Sequence, residues 1–254
     1  PMTRDARDLA LTLSAIGGPS GDGERAWTWR MPPPRHTRLQ DFRVGYIIDD
    51  PIAPIASDVR KPYETLIAAL NKAGVKMADG WPVGTDLQAA ADTYGYLLMS
   101  FVTADLSVRD EATSSGNGGK SRGTFDHARW LRETLRRLAY RALWQKYFES
   151  HDVFLLPASF TAAFPHDHSE PIEKRVVEIP EGKRPYVQHA AYWIFAASLS
   201  GLPATVAPIG FTDGGLPVGV QIVAPMWEDG TSIEFAARLS EVNGGFRPPS
   251  AYAE

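Results

Sequence analysis

The sequence predicts an α/β protein built on a sheet whose strands are buried on both faces. Three observations carry that expectation. A short apolar run, Phe42-Arg43-Val44-Gly45-Tyr46-Ile47-Ile48, is followed by an amphipathic helical pattern and by a second strand-like run at Val75-Lys76-Met77. Strand, helix, strand at that spacing is the unit of a parallel sheet. Later runs, at 153–157, 204–209 and 218–223, are continuously apolar instead of alternating, as strands covered above and below are.

The elements follow in order. Thr3 is the N-cap candidate for a helix to about Ile16, with Ala6, Leu9, Ala10, Leu13 and Ile16 at three- and four-residue spacing and Gly17-Gly18 as its stop. Residues 17–41 are a connector, stiffened by Pro32-Pro33-Pro34, which force an extended backbone. Asp49-Asp50-Pro51 ends the first strand; the next helix carries Val59, Tyr63, Leu66, Ile67 and Leu70 on one face and closes at Gly74. Pro62 belongs to its first turn or kinks it. Residues 85–107 form a helix rich in Ala, Leu and Tyr, Thr113 to Gly123 a breaker, and 124–150 a long helix with a basic outer face. After Val153-Phe154-Leu155-Leu156-Pro157 comes a loop of Phe, Pro, His and Asp, then an apolar helix at 187–200 broken by Gly201-Leu202-Pro203. Two strands joined by a turn at Thr212-Asp213-Gly214-Gly215 and a last helix at about 229–242 complete the pattern, with no internal repeat and no second-domain boundary.

Composition excludes several function classes. A net charge of −4 provides no field to collect nucleic acid or anionic lipid, and the basic helix face at 124–150 is read as solvated. Zero Cys excludes disulfides, thiolate catalysis and Cys-ligated metal, and fits a reducing, cytoplasmic compartment. No apolar run reaches the roughly 18–20 residues of a membrane helix. The start, Pro1-Met2-Thr3-Arg4-Asp5, reads as a chain entered partway through.

Several stretches suggest chemistry. In Ser114-Ser115-Gly116-Asn117-Gly118-Gly119-Lys120-Ser121 a phosphate loop would need Gly where Ser114 stands, and a serine nucleophile would need a sharp strand-to-helix turn that is not indicated. His166-Asp167-His168 offers two imidazoles; a metal site would need His151 or His189 brought in by the fold, whereas local hydrogen bonding would merely pin the loop. Tyr192-Trp193 on the apolar helix reads as core packing, with pocket lining as its alternative. Ser, His and Asp are too abundant for a triad to be chosen without geometry.

Five segments, in order, resemble the amidase-signature hydrolases. They are Pro1 to Ala10 (PMTRDARDLA), residues 42–74 (FRVGYIIDDP…LNKAGV), His151 to Pro157 (HDVFLLP), Ala163 to Asp167 (AFPHD) and, most specifically, residues 201–225 (GLPATVAPIGFTDGGLPVGVQIVAP). The resemblance implies a mixed β-sheet covered on both faces by helices, with residues 1–254 forming the C-terminal part of a single amidase-signature domain. It implies hydrolysis of an amide or ester through an acyl-enzyme on a Ser–cis-Ser–Lys triad, a desolvated lysine serving as base. In that family the triad lies upstream of the position matching Pro1, so no catalytic residue is carried over. This chain would supply scaffold and pocket wall, with Trp193, Ile194 and Ala197 as substrate-binding residues and no cofactor or metal. Its expected partners are a small amide substrate and the N-terminal segment of the same protein, with a homodimer as an option and neither nucleic acid nor membrane. Ser198 stands where many relatives have Asn, and Ala224 where Gly is usual before Pro225. The helix at 124–150 lacks the pattern of the tRNA-linked amidotransferases, which favours a stand-alone amidase, and Trp193 hints at an apolar or aryl acyl group. The competing readings are a non-catalytic amidase-like binding module and a metal-dependent hydrolase using His166 and His168.

Overall fold

A computed structural model describes residues 1–113 and 126–249. The Ser114–Ser121 stretch, most of the breaker at 113–123 and the first two positions of the helix placed at 124–150 lie outside the described residues.

The first parallel unit forms as the hydrophobic pattern requires. Strand β1 (Arg43–Tyr46) leads into helix α2 (Ser57–Lys72) and strand β2 (Lys76–Asp79), which pairs with β1 in parallel. α2 buries Val59, Pro62, Tyr63, Leu66 and Leu70, so the predicted apolar face is the face that packs. Pro62 sits six residues into this helix and is buried against the sheet side; a Cβ on Gly210 of the last hairpin would lie 3.6 Å from its ring.

Two long helices follow, α3 (Leu87–Thr113) and α4 (His127–Tyr147), the second capped by Asp126, whose carboxylate accepts from Ala128 N at 3.0 Å. Strand β3 (Val153–Pro157) is buried along its whole length. A small antiparallel hairpin, β4 (Val176–Ile179) with β5 (Gly182–Pro185), precedes helix α5 (Tyr186–Ser200), which ends at a left-handed Gly201. Strands β6 (Ala204–Phe211) and β7 (Pro217–Val223) and helix α6 (Asp229–Asn243) complete the chain.

The main sheet runs β2-β1-β3-β7-β6. β3 is parallel to β1 and antiparallel to β7, and β7 is antiparallel to β6, so the sheet is mixed. Helices α2 and α6 lie on one face. On the other, Trp144 of α4 packs edge-on to Phe154 of β3 with ring centroids 5.2 Å apart, and α5 is bonded to β7. Gly45 of β1 leaves room for Tyr147 of α4 against the sheet: a Cβ there would lie 1.6 Å from the Tyr147 hydroxyl oxygen.

The structure corrects three readings. β6 is not buried on both faces; over Ala204–Ile209 its exposure alternates, with Val206 59% exposed and Ala207 and Ile209 turned inward to where α2 and α6 pack on it. Helix α1 (Ala6–Ile16) is capped by Asp5, not Thr3: Asp5 has the extended backbone of a cap and accepts from Arg7 N at 2.7 Å, while the Thr3 hydroxyl donates to the Asp5 carbonyl. The β4–β5 hairpin occupies a stretch whose composition indicates loop. Among the described residues no helix is long and apolar enough to cross a membrane.

Candidate functional site

Helix α5 is the element on which the sequence places pocket-wall residues, and it is held from two sides. Trp193 is fully buried; its indole N–H donates to the Ala53 carbonyl at 3.1 Å. Its own carbonyl accepts from the Gln221 side-chain amide of β7 at 2.9 Å. One residue thus fixes α5 against both the loop after β1 and the centre of the sheet. Ala197, one turn on, is buried with it, whereas Ile194 is turned outward and 40% exposed. Ser198 lies on the exposed side next to the Tyr94 phenol, whose pKa is raised by burial and partly lowered again by that hydroxyl. Ala224 is buried, donates its N–H to Pro203 O at 3.0 Å and is not in the left-handed region, so a Cβ is accommodated there.

An acid in an aromatic setting lies at the C-terminal end of β1. Asp50 is buried; it accepts from Trp81 Nε1 at 2.9 Å and from Ile52 N at 2.9 Å. Trp81 in turn stacks on Phe154 and Phe195. The Tyr192 hydroxyl is buried beside that carboxylate without a hydrogen bond of ordinary geometry; desolvation, and then Asp50, raises its pKa far above the usual value. That phenol stays protonated and neutral at any physiological pH.

The loop after β3 and the β4–β5 hairpin enclose a cleft of about 280 Å³ at the start of α5, lined by His166, Asp167, His168, Arg175 and Tyr186 among others. The two imidazole centroids are 5.9 Å apart. Asp167 accepts from Ser169 N at 2.9 Å, and Arg175 donates to Ser169 O at 2.7 Å and to Glu170, which shapes the loop from within. His151 stacks flat on Tyr147 at 4.0 Å, and His189, held by Pro185 O and depressed in pKa by desolvation, packs on Phe160. Neither reaches His166 and His168. Among the described residues no group of three or more His, Asp or Glu is placed to hold a metal ion, so the metal reading lacks its third ligand. Among the same residues, Lys61 and Lys183 are engaged in ion pairs with Asp213 and Glu178.

Sequence reasoning missed the strongest electrostatic feature. The Asp152 side chain is 1% exposed and pairs with Arg43 at 2.7 Å, Arg35 at 3.3 Å and His36 at 3.2 Å; it also accepts the Arg43 backbone N–H at 2.9 Å. Arg35 continues to Glu228 at the start of α6 through two donors, at 2.6 and 2.8 Å. Burial pushes the Asp152 pKa up, but the hydrogen bonds and charges of Arg43 and Arg35 outweigh it and hold the group down at about 2. The signal was a charged residue directly before an apolar strand, with Arg35-His36 directly after the three prolines.

A family model described as "Amidase" matches residues 1–233. A glutamyl-tRNA(Gln) amidotransferase subunit from Thermus thermophilus is 27% identical over 275 aligned residues, covering 95% of this chain and 54% of that protein. Its counterpart in Helicobacter pylori is 22% identical, covering 95% and 57%. This chain spans about half the length of the curated relatives it matches. Among solved structures, the glutamyl-tRNA(Gln) amidotransferase subunit from Thermotoga maritima superposes with a TM-score of 0.71 at 20% identity, covering 99% of this chain and 55% of that one. A bacterial aryl acylamidase superposes with a TM-score of 0.68 at 16% identity, covering 94% and 52%.

Proposed function

The chain belongs to the amidase family, and from that premise we propose that it is the scaffold and pocket-wall part of an enzyme that hydrolyses carboxylic amides. The carrying observation is the family match over residues 1–233, which takes in the β3 loop, α5 and the β6–β7 hairpin together. In this reading the acyl group lies along α5, with Ile194 at the exposed wall and Ala197 and Trp193 behind it setting the wall's position. The nucleophilic serine, the second serine and the lysine base come from a segment outside these 254 residues. That segment is the principal partner and a small amide the substrate, and the exposed apolar helix faces are the surface for self-association.

The test is hydrolysis of an aryl amide and its matching ester, with mass spectrometry of the trapped acyl-enzyme. Residues 1–254 alone are expected to show no turnover. Stoichiometric labelling of this polypeptide by a fluorophosphonate would overturn the assignment of the triad elsewhere.

Transamidation is the second reading, favoured by the 27% identity to an amidotransferase component. Release of ammonia from glutamine that depends on a tRNA-binding partner would select it; hydrolysis of simple amides without one selects the stand-alone amidase.

A further inference from the structure

We propose that a tryptophan cleft beside the start of α6 binds an organic cation of the methylated-ammonium class. The cleft, about 490 Å³, lies between the end of α1, the connector after it and the turn before α6. Trp27, Trp29 and Trp227 line it, three of the seven tryptophans in the chain. Trp27 and Trp227 are 73% and 71% exposed, so broad indole faces are left open to solvent.

Two features show that this arrangement is built. The Trp29 ring lies against Gly17, where a Cβ would fall 2.8 Å from its Cζ3 atom; the absence of that Cβ is what allows the ring onto the end of α1. Trp227 has φ +69°, the sole left-handed non-glycine among the described residues. A bulky side chain is disfavoured there, and such outliers gather where geometry serves binding.

Charge selects the ligand. Asp229 lines the same cleft, and among the described residues its carboxylate makes no hydrogen bond or ion pair, whereas neighbouring Glu228 is bonded to Arg35. Indole faces carry negative quadrupole potential and attract cations whose charge is spread over methyl groups. A neutral aryl ligand would use the rings but leave the Asp229 carboxylate paired only with the positive end of the α6 dipole. None of the residues lining this cleft belongs to α5.

The test is saturation-transfer NMR with calorimetric titration of tetramethylammonium, of choline and of 3,3-dimethylbutan-1-ol, the neutral isostere of choline, on the folded protein. Saturable binding of both cations is expected, with the isostere at least about tenfold weaker than choline, close to 1.4 kcal/mol. Asp229→Asn and Trp227→Gly should each weaken the cation about tenfold. Glycine adopts φ +69° freely, so Trp227→Gly should melt no lower than the wild type. Equal binding of the isostere, undiminished binding by either variant, or no saturable binding to the wild type would each overturn the proposal.

Discussion

Asp152 shows what one residue can hold together. It sits where the connector, the start of β1 and the start of β3 meet, and its two oxygens serve Arg43, Arg35 and His36. An unfolded carboxylate titrates near its ordinary 3.8, the folded one near 2. The stabilisation is therefore complete above about pH 5 and lost as pH falls through 4 toward 2, an amount of about 2 kcal/mol. Asp152→Ala should forfeit at least as much, about 2–3 kcal/mol at pH 7, because Arg43 loses its carboxylate partner while Arg35 keeps only Glu228 as one. Chemical denaturation from pH 2 to 7 checks both: the wild type should lose stability steeply below pH 4, and the variant should be flatter over that range. Gly45 is the steric counterpart. Gly45→Ala drives a methyl group into Tyr147 and should cost more than about 2 kcal/mol. Tyr147→Phe should rescue only part of that, since the ring carbon Cζ remains 2.9 Å away, and a double-mutant cycle measures the difference.

At the scale of elements, the helices are legible because their apolar residues recur at helical spacing, and α2 packs on the face that spacing indicates. β6 is not. Ala204, Ala207, Pro208 and Gly210 are small, so the sequence carries no polar alternation to reveal that one face meets solvent. Val206→Lys should accordingly be tolerated within about 0.5 kcal/mol, whereas Ile209→Lys should destabilise by several kcal/mol; thermal melts of the two variants separate a one-faced edge strand from a two-faced one. The β4–β5 hairpin is hidden differently: Glu178, Lys183 and Arg184 on an exposed two-stranded ribbon look like loop composition. The choice of Asp5 over Thr3 as cap turns on backbone dihedrals, and both residue types cap well. The α5 wall is legible as an apolar helix, but not the bonds from Trp193 to Ala53 and Gln221, which join residues 140 and 28 positions apart. Trp193→Phe removes the indole donor and should loosen α5 against the loop after β1. A raised KM for amide with a smaller change in kcat would be the expected signature in the assembled enzyme.

For the whole molecule, the notable surface is apolar. α3 and α4 expose Phe101, Trp130, Leu131, Leu135 and Leu138, a stretch of helix surface more typical of an interface than of a solvated face. Sedimentation velocity should find concentration-dependent association, and Leu135→Glu with Phe101→Glu should reduce it without lowering the melting temperature. Another consequence follows from the strand order. β3 lies in the middle of the sheet, yet Val44 of its neighbour β1 pairs with Val153, 109 positions along the chain. Residues 43–79 can close on themselves early as strand, helix and strand, while the central seam must wait for more than a hundred residues and then for β7. Pulse-labelled amide exchange during refolding should therefore see β1–β2 amides protected first and those between β3 and β7 last. During synthesis, the half-formed sheet would expose the open side of β1 for the several seconds the ribosome needs to reach β3.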